Sequence, residues 1–184
     1  MTNPVVSTAG GTALVYDAGG RELFVYSGRE EVFSLTQEDG QALLSADVNQ
    51  NGWLAVTSQE SGHKGSVTVY DNSYSPLVRF SLSNRFVMDA AVAPDNKSVA
   101  LLTIGLTDGN FESRVDLYRL DRTEEETEPD WTCPVGNNAI LDLRWTSNGI
   151  WALGESGLYI VSGDGALSGS YDYGGRYLKA FSLD

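Results

Sequence analysis

Residues 43–58 read LLSADVNQNGWLAVTS: an apolar run, four turn-forming residues, then a second apolar run. The NQNG segment is rich in residues that tolerate the left-handed backbone of a tight turn. The stretch predicts two short antiparallel strands joined by a turn. The pattern recurs as MDAAVAPDNKSVALLT at 88–103 and LDLRWTSNGIWALGE at 141–155, with PDNK and TSNG as the turns. A shorter version, VVSTAGGTALVYD, occupies 5–17.

A third strand follows each hairpin: ELFVY (22–26), SVTVY (66–70), VDLY (115–118) and GLYIV (157–161). With Tyr26, Tyr70, Tyr118 and Val161 taken as equivalent, the spacings are 44, 48 and 43 residues. These segments alternate and favour β-branched and aromatic residues, as half-buried strands do. A closing strand ends each unit: EVFSLT (31–36), LVRFSLS (77–83), DWTCPV (130–135) and SGSYDY (168–173). Four short antiparallel strands in about 45 residues is the signature of a β-propeller blade. An irregular sandwich, the rival all-β reading, does not repeat internally at this period. No stretch carries a 3.6-residue apolar period with caps, so no significant helix is expected.

The sequence thus predicts an all-β, single-domain propeller of about four blades over residues 4–40, 41–84, 85–138 and 139–176. The segment YLKAFSLD at 177–184 matches the first strand of a unit. It either closes a four-bladed ring onto the N-terminal unit or opens a further blade of a larger propeller.

Several stretches carry a resemblance: YDAGGRELFVYSG (16–28), GSVTVYD (65–71), SNRFVMDAAVAPDNKSVALLTIG (83–105), DGNFESRVDLYRLD (108–121) and YDYGGRYLKAFSL (171–183). Together they resemble an uncharacterised family of Gram-positive, mainly clostridial, propeller proteins with WD40-like repeats. The resemblance implies an N-terminal membrane helix followed by a larger propeller outside the cell, with no enzymatic activity. It favours reading this chain as a soluble, extracytoplasmic piece of a membrane-anchored parent.

The formal charge is −13, from 25 acidic and 12 basic residues. The basic residues are scattered, which argues against nucleic acid and against direct contact with an anionic membrane. No apolar run approaches the ~20 residues of a membrane span. The N-terminus, MTNPVVSTAGG, has neither the basic nor the apolar region of a signal peptide. Cys133 is the single cysteine, so no intrachain disulfide forms, and beside Trp131 in a strand it reads as a buried, inert thiol.

Candidate chemistry is sparse. DVNQNG at 47–52 matches the first half of a calcium loop, in which Asp47, Asn49 and Asn51 would supply oxygens. The twelfth position is Ser58 where a bidentate Glu is needed, so a plain hairpin turn is the favoured reading and no cofactor is expected. Asp89 and Asp142 hold matching places in their repeats, with Asp47 near the equivalent place. Such acids would ring a central channel, as structural hydrogen-bonded groups or as a site for a cation or basic ligand. His63 lies in a polar loop with no G-x-S-x-G nearby, so it reads as solvated and not as a catalytic base. DRTEEETEPD at 121–130 holds six acids in ten residues and is expected to form an extended, mobile loop. Trp53, Trp131, Trp145 and Trp151 are expected to pack between blades.

The reading is a non-enzymatic interaction or structural module, with a protein or cell-envelope component as partner. The alternative is a carbohydrate-active or other hydrolytic propeller, which needs two carboxyls about 5–9.5 Å apart in the channel. An open arc of blades would expose apolar faces and form a homodimer. A closed four-bladed ring would be a monomer.

Overall fold

The computed structural model describes residues 1–122, 128–176 and 178–181. Sixteen strands form four sheets, each a four-stranded antiparallel meander. The first blade holds β1 (Pro4–Ala9), β2 (Thr12–Asp17), β3 (Glu22–Ser27) and β4 (Glu30–Thr36). The second holds β5 (Leu43–Val48), β6 (Leu54–Ser58), β7 (Ser66–Tyr70) and β8 (Pro76–Ser81). The third holds β9 (Phe86–Val92), β10 (Ser98–Thr107), β11 (Asn110–Arg119) and β12 (Trp131–Pro134). The fourth holds β13 (Ile140–Thr146), β14 (Gly149–Gly154), β15 (Gly157–Val161) and β16 (Leu167–Asp172). No helix occurs among the described residues. The fold is the expected four-bladed β-propeller, with the first strand of each blade innermost.

Of the 177–184 segment, residues 178–181 lie outside any strand, and 177 and 182–184 lie outside the described residues. In the acidic run, residues 123–127 also lie outside the described residues, and with them most of the expected mobile loop.

Strand patterning follows from what covers each face. In β6, Leu54 and Val56 pack toward the first blade, while Ala55 packs toward the third. In β10, Val99 and Leu101 face the second blade, while Ala100 and Leu102 face the fourth. Both strands are buried on two faces, and this is why they read as unbroken apolar runs. Three apolar clusters result, one in each seam between consecutive blades. Aromatic pairs seal two outer rims: Phe33 stacks on Tyr74 at 4.9 Å, and Phe80 tilts against Tyr118 at 4.7 Å.

Among the described residues, no apolar cluster joins the fourth blade to the first. Both of those blades nonetheless carry apolar side chains on their outward faces. Val6, Val15 and Phe24 align across β1, β2 and β3. Trp151 aligns with Ile160, and Leu153 with Leu158 and Tyr171, across β14, β15 and β16. Val6 is 56% exposed and Tyr171 61%, so parts of these faces meet solvent, whereas Leu153 is only 4% exposed.

Two other features depart from the sequence reading. The β10–β11 hairpin extends ten residues on each arm, turning at Asp108 and Gly109, both with positive φ. Among the tryptophans, Trp53 and Trp145 pack against seams, whereas Trp131 is 41% exposed and Trp151 lies on the outward face of the last blade. Among the described residues no apolar cluster covers the outward face that holds Trp151, whereas Trp131 stands against Gly165 of the fourth blade, at the edge of the seam that Cys133 enters.

Candidate functional site in the central channel

The innermost strands share a device. β5, β9 and β13 each carry one extra residue relative to the partner strand, at Leu44, Met88 and Leu141. A bulge bends the strand and re-aims the side chain that follows. The next residues are Ser45, Asp89 and Asp142. Ser45 is therefore the true repeat equivalent of the two aspartates, and Asp47 lies two residues beyond it.

The bulges bring the three aspartates around one guanidinium. Arg144 of β13 donates from Nη1 to Asp47 Oδ1 at 2.7 Å and to Ser7 Oγ at 3.2 Å. Its Nε lies 3.5 Å from Asp142 Oδ2. Ser7 Oγ also donates to Asp47 Oδ1 at 2.6 Å. Asp89 accepts from Ser45 Oγ, from its neighbour Ala90 N at 2.8 Å and from Leu143 N at 3.2 Å. One carboxylate on β9 thus ties the second, third and fourth blades together. Arg144 reaches across the channel to the first.

The electrostatics follow from crowding. Burial pushes the Asp89 carboxyl up; Ser45 opposes this, Asp47 and Asp142 reinforce it, and the net value is about 7. Burial likewise raises Asp47, although Arg144 and Ser7 pull against it. Burial disfavours the Arg144 charge, yet Asp47, Asp142 and Asp89 together hold its pKa above the usual arginine range. Burial, then Asp89, pushes Tyr16 up to about 12. The cluster is a polar core with more acid than base, and its charge state changes near neutral pH.

The calcium-loop residues do not gather about one point. Asp47 turns into the channel, toward Arg144. Asn49 Oδ1 accepts from Asn51 N at 2.9 Å and Trp53 N at 3.0 Å, closing its own turn. Asn49 Nδ2 donates to Ala93 O at 3.0 Å and Asn96 Oδ1 at 2.7 Å, and Asn51 Nδ2 donates to Pro94 O at 2.7 Å. The motif is a clasp between the turns of the second and third blades. Among the described residues, no group of three or more His, Cys, Asp or Glu side chains is placed to hold a metal ion.

The remaining candidates are placed as follows. His63 is partly exposed, with Nδ1 3.8 Å from Glu60 Oε2. Cys133 is buried in the seam between the third and fourth blades, and burial raises its thiol pKa.

Comparison with known proteins places the fold and little more. No curated protein matches the chain significantly. Among solved structures, a protein of unknown function from Bacteroides caccae aligns with TM-score 0.57 and 13% identity, over 88% of this chain and 57% of its own. BBS1N, solved in complex with ARL6DN, aligns with TM-score 0.59 and 13% identity, over 95% and 54%. The Pan2 WD40 domain of Neurospora crassa aligns with TM-score 0.57 and 10% identity, over 93% and 49%. At such identities the likeness is of fold alone. The chain spans about half the length of the structures it matches. The profile of one family matches residues 1–170, nearly the whole chain, and so the protein belongs to the family of unknown function DUF5711.

Proposed function

We propose that the chain is a non-enzymatic module that works by assembly, through the outward faces of its first and fourth blades. The carrying observation is the apolar lining of those faces: Val6, Val15 and Phe24 on one, Trp151, Ile160 and Tyr171 on the other. A face meant for water would alternate to polar side chains there. The matched propellers, about twice as long as this chain, support the same reading. The occupant we propose is a second copy, the first blade of one arc meeting the fourth of the other.

The resemblance to membrane-anchored propellers extends the proposal to a place outside the cell, as part of an anchored bacterial protein. Protease treatment of intact cells tests this: the full-length protein should be cut from outside. Among the described residues, no helix is long and apolar enough to cross a membrane, and this says nothing of a β-barrel.

The hydrolytic alternative needs two available carboxyls. Asp47 is held by Ser7 and Arg144, and Asp89 by Ser45 and two backbone amides, which favours a structural role for both.

Sedimentation of the purified chain tests assembly. Wild type should run as a dimer at micromolar concentration. Phe24→Lys, which places a charge on the outward face of β3, should run as a folded monomer. A monomeric wild type, or a dimer indifferent to Phe24→Lys, overturns the proposal.

A further inference from the structure

A cleft of about 1330 Å³ runs along the outer side of the seam between the second and third blades. Its walls are β7 and β8 on one side and β11 and β12 on the other. Four arginines line it: Arg79, Arg85, Arg114 and Arg122. That is a third of the basic residues of a chain whose net charge is −13. Asp116 and Glu128 are the carboxylates in the same lining.

Three of the arginines are engaged. Arg79 donates to Ser66 Oγ at 3.2 Å and pairs with Glu60 at 3.2 Å. Arg85 donates from Nε to Thr103 Oγ1 at 3.0 Å, and Arg114 donates to Thr107 Oγ1 at 2.9 Å and pairs with Glu112. Burial, and then the adjacent Arg114 charge, hold Arg85 below the usual arginine range, against the pull of Asp116 and Glu112.

Arg122 differs. Its side chain is only 8% exposed. Its guanidinium lies 4.9 Å from the Tyr118 ring and 5.9 Å from that of Phe80. One terminal nitrogen, Nη2, donates to Glu128 O at 2.7 Å and lies 3.9 Å from Asp130 Oδ2. Nε and Nη1 are buried and have no acceptor among the described residues. A buried guanidinium with unmet donors is costly to the fold. A cost of that kind, in the wall of a large cleft, marks a group held ready for a ligand.

We infer that this cleft binds a phosphate-bearing ligand, with Arg122 as its buried anchor and Arg79, Arg85 and Arg114 surrounding the anion. Guanidinium donors suit phosphate oxygens in geometry and charge. Glu60 and Glu112 pair with Arg79, Arg85 and Arg114, so the unmet donors that an anion would find are those of Arg122. The inference is independent of the assembly proposed above, because the cleft is lined by the two middle blades and the end faces take no part in it.

The test uses the whole chain and two probes: inorganic phosphate, and phosphatidylcholine vesicles containing phosphatidic acid. Wild type should bind phosphate saturably by calorimetry, and its melting midpoint should rise in step. Arg122→Met should weaken phosphate binding by on the order of tenfold or more. The same variant should melt at or above the wild-type midpoint in phosphate-free buffer, because an apolar side chain replaces an unsatisfied buried charge. Arg122→Lys keeps the charge without the planar fork, and its affinity should fall between the other two. Vesicle binding beyond that of inorganic phosphate would assign the ligand to a lipid headgroup. Phosphate binding without vesicle binding would assign it to a soluble or polymeric phosphate. Three results would overturn the inference: neither probe binding, an equal phosphate response in wild type and Arg122→Met, or a marked loss of stability in that variant without phosphate.

Discussion

Replacing Asp89 with asparagine isolates what the channel spends on holding a carboxylate. Asp89 titrates near 7 in the fold, against an ordinary value of 3.8. An acid raised in this way binds its proton more tightly when folded. Its share of stability is intact below pH 4 or so and drains away as pH climbs through about 7. Each unit of difference is worth about 1.4 kcal/mol, so the full loss is about 4 kcal/mol under alkaline conditions. Asparagine has the same shape and no charge. Its single oxygen can keep Ser45 Oγ and Ala90 N, which share Oδ1, but its NH₂ then faces the Leu143 N–H that Oδ2 accepts. The exchange forfeits the Leu143 bond and so costs about 1–3 kcal/mol at any pH. Asp89→Asn should therefore be about 1–3 kcal/mol less stable than wild type at about pH 4 and about 1–3 kcal/mol more stable at about pH 9, the two curves crossing between. Urea unfolding followed by tryptophan fluorescence at a series of pH values measures this directly. Equal pH dependence in the two proteins, or a variant less stable than wild type at the alkaline end, would refute the account of the channel as an overcrowded carboxylate cluster.

Other perturbations probe the seams and clasps. Leu102 is fully buried between the third and fourth blades, and Leu102→Ala should cost 2–5 kcal/mol in the same urea assay. Asn49→Ala removes the clasp to Ala93 and Asn96 and should cost about 1–3 kcal/mol. Because the Asn49 and Asn51 amides are committed to that clasp, millimolar calcium should leave the wild-type melting midpoint unchanged, and a rise would show a site that the turn geometry does not suggest. Gly10 has φ of +56°, and a Cβ there would sit 2.3 Å from Gln50 O. Gly10→Ala should lower the melting midpoint by several degrees in calorimetry, more than Gly11→Ala, where a Cβ meets open space.

The blades were legible because their signals are local. Alternation, apolar runs and turn residues sit within a few positions of one another, and the repeat multiplies each of them. The channel was half legible. Asp89 and Asp142 align by register alone, but Arg144 joins them only because a long side chain crosses from β13 to Ser7, 137 positions away in the chain. The bulges hid the equivalence of Ser45 with Asp89, because an extra residue leaves no mark in composition. Asn49 and Asn51 carried a calcium-like spacing because a tight turn and a calcium loop ask for similar residues, and their bonds to the neighbouring turn at 93–96 leave no mark in the sequence. The arginine cleft was invisible for a different reason. Its four guanidiniums come from β8, the β8–β9 connection, β11 and the segment after β11, and only the packing of one blade on the next brings them around one cleft.

The three seams are joined in series. In such an array each blade depends on its immediate neighbours, and stability behaves as a sum of blade and interface terms. The middle blades are held from two sides and the end blades from one. Amide hydrogen exchange should therefore be graded, fastest in β1–β4 and β13–β16 and slowest in β6 and β10. Arg144 interrupts that order. By holding Ser7 and Asp47 from β13, it connects the two ends of a linear array, so that opening either end strands a charge in the channel. A single side chain makes the end blades fray together or not at all.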